Sequence, residues 1–186
     1  AFQARYVGSI PITRSIFLPR STILMKGTKA MIDSYVALDI ETTGLNPAAD
    51  RIIEIGMARV CNGNVTDTYS TLVNPGIKIS DRIIELTHIH NEELTDKPRI
   101  NELIEDVIQF IGDYPILGHN VIFDYSFLKK AAVNNNLVFP SAGIDTLKMA
   151  RRILPELEHK KLDYLCEYLK IDPVSYTHLR AHETPE

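Results

Sequence analysis

Asp39 and Glu41 stand two residues apart in Ser34–Glu41, a short apolar run with β-branched and aromatic members. Such a run reads as a buried strand, and because strand side chains alternate, both carboxylates project from one face. Two anions that close at the end of a buried strand need a shared cation or must shift their pKa values. Hard oxygen donors of this kind suit Mg²⁺ or Mn²⁺. The alternative is an ordinary strand end carrying solvated acids, and an Asp-x-Glu triplet does not by itself decide between them.

The elements around this pair follow from pattern. Gly44, Asn46 and Pro47 end the first strand in a turn. Arg51–Val60 reads as a second strand, Asn62-Gly63-Asn64 as a hairpin turn, and Val65–Val73 as a third strand. A short helical piece is expected over Asp81–Leu86. After Pro98, the residues Ile100, Leu103, Ile104, Val107, Ile108 and Ile111 recur at helical period, and Gly112 ends the run. Pro115–Leu117 is a short strand and Phe123–Val133 a helix, stopped by Asn134-Asn135-Asn136. Another short strand ends at Ile144, Asp145 caps a helix running toward Leu154, and Leu162–Leu169 is the last helix. Three meandering strands followed by alternating strands and helices predict an α/β domain, a mixed sheet flanked by helices.

Composition sets bounds. The 186 residues fit one domain, 45% apolar and 24% charged, with no apolar run long enough to cross a bilayer. A cytoplasmic location with no membrane partner is expected, and Cys61 and Cys166 read as buried thiols in a reducing compartment. Residues 1–30 carry five positive charges and 174–186 a net −1, so residues 31–173 carry −8 of the total −4. An acidic domain gains little from non-specific attraction to phosphate backbones, so any nucleic acid must be held through cations and a local site.

The longer motifs resolve the ambiguity at Asp39. Asp39-Ile40-Glu41-Thr42-Thr43-Gly44 resembles the first motif of the DEDD superfamily of 3′→5′ exonucleases, which includes the proofreading epsilon subunit of bacterial DNA polymerase III. Gly118-His119-Asn120-Val121-Ile122-Phe123-Asp124 resembles the second motif. Arg51–Gly56, Asp145-Thr146-Leu147, Ala150-Arg151, Leu154-Pro155 and Lys161-Leu162-Asp163 follow in family order, so the resemblance spans Met31 to about Ile171. It implies a ribonuclease H-like fold with a central five-stranded mixed sheet. It also implies two divalent cations, Mg²⁺ or Mn²⁺, held roughly 4 Å apart by Asp39, Glu41 and Asp124. Thr42, Thr43, Gly44, Leu45, His119, Asn120 and Phe123 are the implied substrate contacts, with His119 and Asn120 positioning their loop. Leu45 and Phe123 have plain core packing as an equal alternative. Glu54 is either solvated or adjacent to the site. His88, His90, Lys129-Lys130 and Arg151-Arg152 read as solvated surface.

The family also needs a third motif, His followed five residues later by Asp, supplying the general base and a fourth acid. It should follow the last helix, yet Val174–Thr184 resembles one translated frame of a sequencing-library adapter. The domain is therefore expected to occupy residues 31–173, with 174–186 as a foreign tail and 1–30 as a translated leader before Met31. Lys26-Gly27 supports the leader, since it can be encoded as a ribosome-binding site. His178 and Glu183 stand five apart, but the acid is Glu and the alanine after the histidine is displaced. They are not expected to replace the third motif, and the base is expected from native sequence after residue 173. Losing a positioned base typically costs about 10² to 10⁴ in rate, so this chain is expected to be nearly inactive.

The function implied is removal of nucleotides from DNA 3′ ends, single-stranded DNA preferred, alone or beside a DNA polymerase subunit. An exoribonuclease trimming RNA 3′ ends uses the same chemistry. A non-catalytic module that binds 3′ ends or a polymerase is the reading from another class.

Overall fold

The computed structural model describes residues 32–139 and 142–171. The leader, Met31, Asp172-Pro173 and the tail with His178 and Glu183 lie outside the described residues. In chain order the elements are β1 (Tyr35–Thr42), β2 (Ile52–Cys61), β3 (Asn64–Leu72), α1 (Asp81–Thr87), α2 (Asn91–Leu94), α3 (Ile100–Ile111), β4 (Ile116–Gly118), α4 (Ile122–Asn134), β5 (Gly143–Asp145), α5 (Thr146–Ile153) and α6 (Leu162–Tyr168).

The strands form one sheet in the order β3-β2-β1-β4-β5. β1 and β2 pair antiparallel, as do β2 and β3, while β1–β4 and β4–β5 are parallel. This is the expected five-stranded mixed sheet. The hairpin between β2 and β3 turns through Asn62 and Gly63, both at positive φ (52° and 74°), the left-handed conformation that two-residue hairpins need and that glycine tolerates. β3 is an edge strand and mostly exposed.

Alternation along β1 sorts its side chains. Val36, Leu38 and Ile40 enter the main core with Ile55 and Met57 of β2, Leu103, Ile104, Val107 and Ile111 of α3, and Phe127, Leu128 and Ala132 of α4. Tyr35 and Ala37 face the other way, onto Ala58, Val60 and Leu117. Asp39 and Glu41 continue that second row. A separate pad under α1 and α2 buries Ile53 against Ile79, Ile89 and Leu94. The helix α2 was not anticipated. One turn long, it is too short for a periodic pattern, and His90 and Glu93 hold it with a capping box.

Two sequence expectations need correction. Lys130 is not on a solvated face: it is half-buried, and its ammonium donates to the carbonyls of Pro47 and Ala48 at 2.6 and 2.8 Å. The thiols of Cys61 and Cys166 are half-buried rather than buried, outside any disulfide. Cys61 borders an arginine stacked on aromatic rings, its thiol donating to the Tyr114 hydroxyl at 3.3 Å. His88, His90, Arg151 and Arg152 are exposed as expected. Among the described residues no helix is long and apolar enough to cross a membrane.

Candidate active site

β4 is short, and its parallel pairing with β1 covers only Val36 and Ala37. Beyond that point the edge of β1 is open to the start of α4. There the Asp124 carboxylate accepts the Ile40 N–H at 3.0 Å, a buried bond across 84 residues of sequence. Ile40 lies between Asp39 and Glu41, so one hydrogen bond fixes Asp124 against both. On the other side of β1, Asp39 pairs with Gly56 and Glu41 with Glu54. Directly opposed residues share a sheet face, so Glu54 joins the same acidic row. The register then slips between Glu41 and Thr42, a bulge where the strand leaves the sheet.

The electrostatics follow from this crowding. Burial first, then the charge of Glu54, pushes the Asp39 carboxyl up to about 7. Burial raises Glu41 to about 8, with Asp39 and Glu54 adding to the effect. Asp124 is also raised well above the usual carboxylate range, by burial and then by Asp39; the Ile40 N–H pulls the other way without offsetting it. Carboxyls in this state favour either protonation or a shared cation.

The loop after β1 is bonded mainly to itself. Thr42 is buried and its hydroxyl donates to Gly44 O at 2.6 Å, while the Thr43 hydroxyl accepts the Arg51 N–H at 3.0 Å. The Asp50 carboxylate accepts the Asn46 N–H at 2.8 Å. A Cβ on Gly44 would fall 2.4–2.6 Å from that same carboxyl, so any larger residue there must push the Asp50 side chain aside. Leu45, at the tip, is 53% exposed.

The second motif divides its work. His119 is half-buried, its Nδ1 3.0 Å from the Thr146 hydroxyl. Burial lowers its pKa, against the pull of the Asp145 carboxylate, which favours a neutral ring. Asn120 is exposed, at φ 64°, and its N–H reaches Asp145 Oδ1 at 3.1 Å. That oxygen also accepts Leu147 N–H and Lys148 N–H, so Asp145 ties the His119 loop to the start of α5. Phe123 is half-buried against the main core, its ring 5.1 Å from Phe127. Ile122, beside it, is 57% exposed.

Asp39, Glu41 and Asp124 are thus gathered at one strand end, with Thr42–Leu45 following directly. Glu54, Lys130 and Asp50 were not assigned to the site from sequence. Glu54 had a signal in its strand alternation, but only the register reveals its partner. The carboxylates suit a hard divalent cation in donor type and in charge, since their raised pKa values are what a cation would relieve. They do not converge as a finished cage: among the described residues no group of three or more acidic, histidine or cysteine side chains could enclose an ion as placed.

Fold and site define an α/β domain with an acidic centre at the end of its middle strand. The chain belongs to the Exonuclease family, whose model matches residues 36–180. The PolC-type DNA polymerase III of Clostridium perfringens is 35% identical over 139 residues, covering 75% of this chain and 10% of that protein. The Thermotoga maritima PolC-type polymerase is 38% identical over 151 residues, covering 80% of this chain and 11% of that one. The chain therefore spans about a tenth of these curated relatives' length. Among solved structures, exonuclease X in complex with 5′-overhanging duplex DNA superposes with a TM-score of 0.57 at 28% identity, covering 72% of this chain and 71% of its own. A zinc-bound exonuclease I–single-stranded DNA complex shares the fold at 20% identity, TM-score 0.63, covering 73% and 34%.

Proposed function

We propose that this domain is a metal-dependent 3′→5′ exonuclease that releases nucleotides from DNA ends, with single-stranded or frayed 3′ ends preferred. The observation that carries this reading is the fixing of Asp124 onto Ile40, between Asp39 and Glu41, in a chain of the Exonuclease family. Asp39, Glu41 and Asp124 would hold Mg²⁺ or Mn²⁺. Bound cations supply Lewis-acid chemistry, lowering the pKa of a water and offsetting charge on the leaving oxygen.

The chain's own residues bind and orient. The backbone of Thr42, Thr43 and Gly44 faces the terminal nucleotide in a loop held rigid by Thr43, Asn46 and Asp50. Leu45 offers an exposed apolar surface for its base or sugar, with Phe123 behind. His119 and Asn120 hold the second motif in place through Thr146 and Asp145. The likeness to PolC-type enzymes supports a cytoplasmic site of action beside a DNA polymerase.

Rates on matched DNA and RNA oligonucleotides, with free and 3′-blocked ends, test the substrate assignment. Faster loss of nucleotides from the unblocked DNA is expected. Equal or faster trimming of RNA would overturn the DNA preference.

A further inference from the structure

Lys130 connects two parts of the site that the sequence places more than eighty residues apart. It lies six residues after Asp124 on α4, and its ammonium reaches across to the loop between β1 and β2. There it donates to Pro47 O at 2.6 Å and Ala48 O at 2.8 Å. Among the described residues the loop's other bonds are within itself. Asp50 N–H and Ala49 N–H donate to Asn46 O, Ala48 N–H to Asn46 Oδ1, Asn46 N–H to Asp50 Oδ2, and Arg51 N–H to Thr43 Oγ1. Arg51 caps the carbonyls of Ala49 and Asp50. Such a loop is stiff internally, and its ends are tied to each other, Thr43 N–H donating to Arg51 O at 2.8 Å and Arg51 N–H to Thr43 Oγ1 at 3.0 Å, so these bonds fix its shape but not its approach to α4.

We propose that Lys130 is a positioning residue that latches the Thr43–Arg51 loop to α4, setting the distance between Leu45 and Asp124. This rests on the exonuclease reading given above. Two charge-assisted bonds to a half-buried ammonium are among the stronger contacts a surface loop can make. The carboxylates of β1 are held by the sheet and by the Asp124–Ile40 bond, neither of which involves Lys130. Loss of the latch should therefore weaken the grip on the terminal nucleotide while leaving cation binding alone.

The test compares the full chain with K130M and K130R. Methionine keeps the length of the side chain without its charge, and arginine restores a donor. Three readouts are taken: amide hydrogen exchange over residues 43–51, Mn²⁺ affinity by electron paramagnetic resonance, and anisotropy of a labelled deoxyoligonucleotide with a free 3′ end in Ca²⁺ buffer. For K130M, at least tenfold faster exchange in the loop and about tenfold weaker oligonucleotide binding are expected, with Mn²⁺ affinity unchanged. K130R should recover most of both. Unchanged loop exchange in K130M overturns the latch, whatever the binding shows. Faster exchange with unchanged oligonucleotide affinity, in a chain that prefers free over blocked 3′ ends, overturns its role at the site. If the unmodified chain shows no such preference, the exonuclease reading fails, and loop exchange still decides whether the latch exists.

Discussion

Glu54 stands directly across the antiparallel β1–β2 pair from Glu41, so a fourth carboxylate shares the face of Asp39 and Glu41. Its charge contributes to the raised pKa of both. Replacing it with the isosteric, neutral Gln removes that contribution while burial remains. In E54Q the Glu41 and Asp39 carboxyls should titrate at lower pH, as read by NMR of ¹³C-labelled side chains. An unchanged Glu41 titration would mean that Glu54 points away from the pair.

Stability of the cation-free protein should fall as pH rises. Asp39 and Glu41, at about 7 and about 8 when folded, keep protons that the unfolded chain gives up near its ordinary carboxylate values. The folded state therefore binds more protons between those limits, and stability is lost as pH climbs through the folded pKa values. Between pH 5.5 and 8.5 in EDTA, Tm should drop by roughly 5 °C or more. Mg²⁺ or Mn²⁺ should reverse most of that drop at pH 8.5 and do little at pH 5.5. Calorimetry with and without cation measures both.

Two separable roles are expected of Asp124, a hydrogen bond to Ile40 and a share in cation binding. D124N keeps an oxygen for the Ile40 N–H and removes the charge, so its fold should survive and cation affinity should fall at least tenfold. D124A also orphans that buried donor, which costs about 1–3 kcal/mol of stability. Denaturant unfolding and Mn²⁺ titration of the two variants distinguish them. Equal stability of D124N and D124A would remove the structural role from the bond.

Gly44 tests the loop independently of Lys130. In G44A the new methyl meets the Asp50 carboxyl and must displace it, breaking its bond to Asn46. Oligonucleotide binding should weaken about tenfold, equivalent to about 1.4 kcal/mol. Global Tm should move by no more than a few degrees, since the loop lies outside the main core.

Much of this was legible in the residues because two periods dominate the chain. Alternation placed Asp39 and Glu41 on one face, and the helical recurrence from Ile100 to Ile111 marked α3 and its buried side. Asn62-Gly63 named its own turn. Glu54 remained ambiguous because alternation gives a face but not a register, and its partner depends on the pairing of β1 with β2. Lys130 misled because a basic pair on a helix is normally solvated, and its acceptors are backbone carbonyls that no side-chain pattern marks. The short helix α2 carries no periodicity to detect. Asp124 was recognised by its motif, yet its hold on Ile40 depends on β4 ending early, which local sequence does not encode.

The central claim is that Asp39, Glu41 and Asp124 support cation-dependent removal of nucleotides from 3′ ends. It is tested most directly by incubating equimolar chain with a 5′-labelled single-stranded DNA in Mn²⁺ over hours, beside D124N and an EDTA control. The account expects a ladder shortening one nucleotide at a time from the 3′ end, absent in both controls. A ladder that persists in EDTA or D124N, cleavage from the 5′ end, or no shortening at all would contradict it.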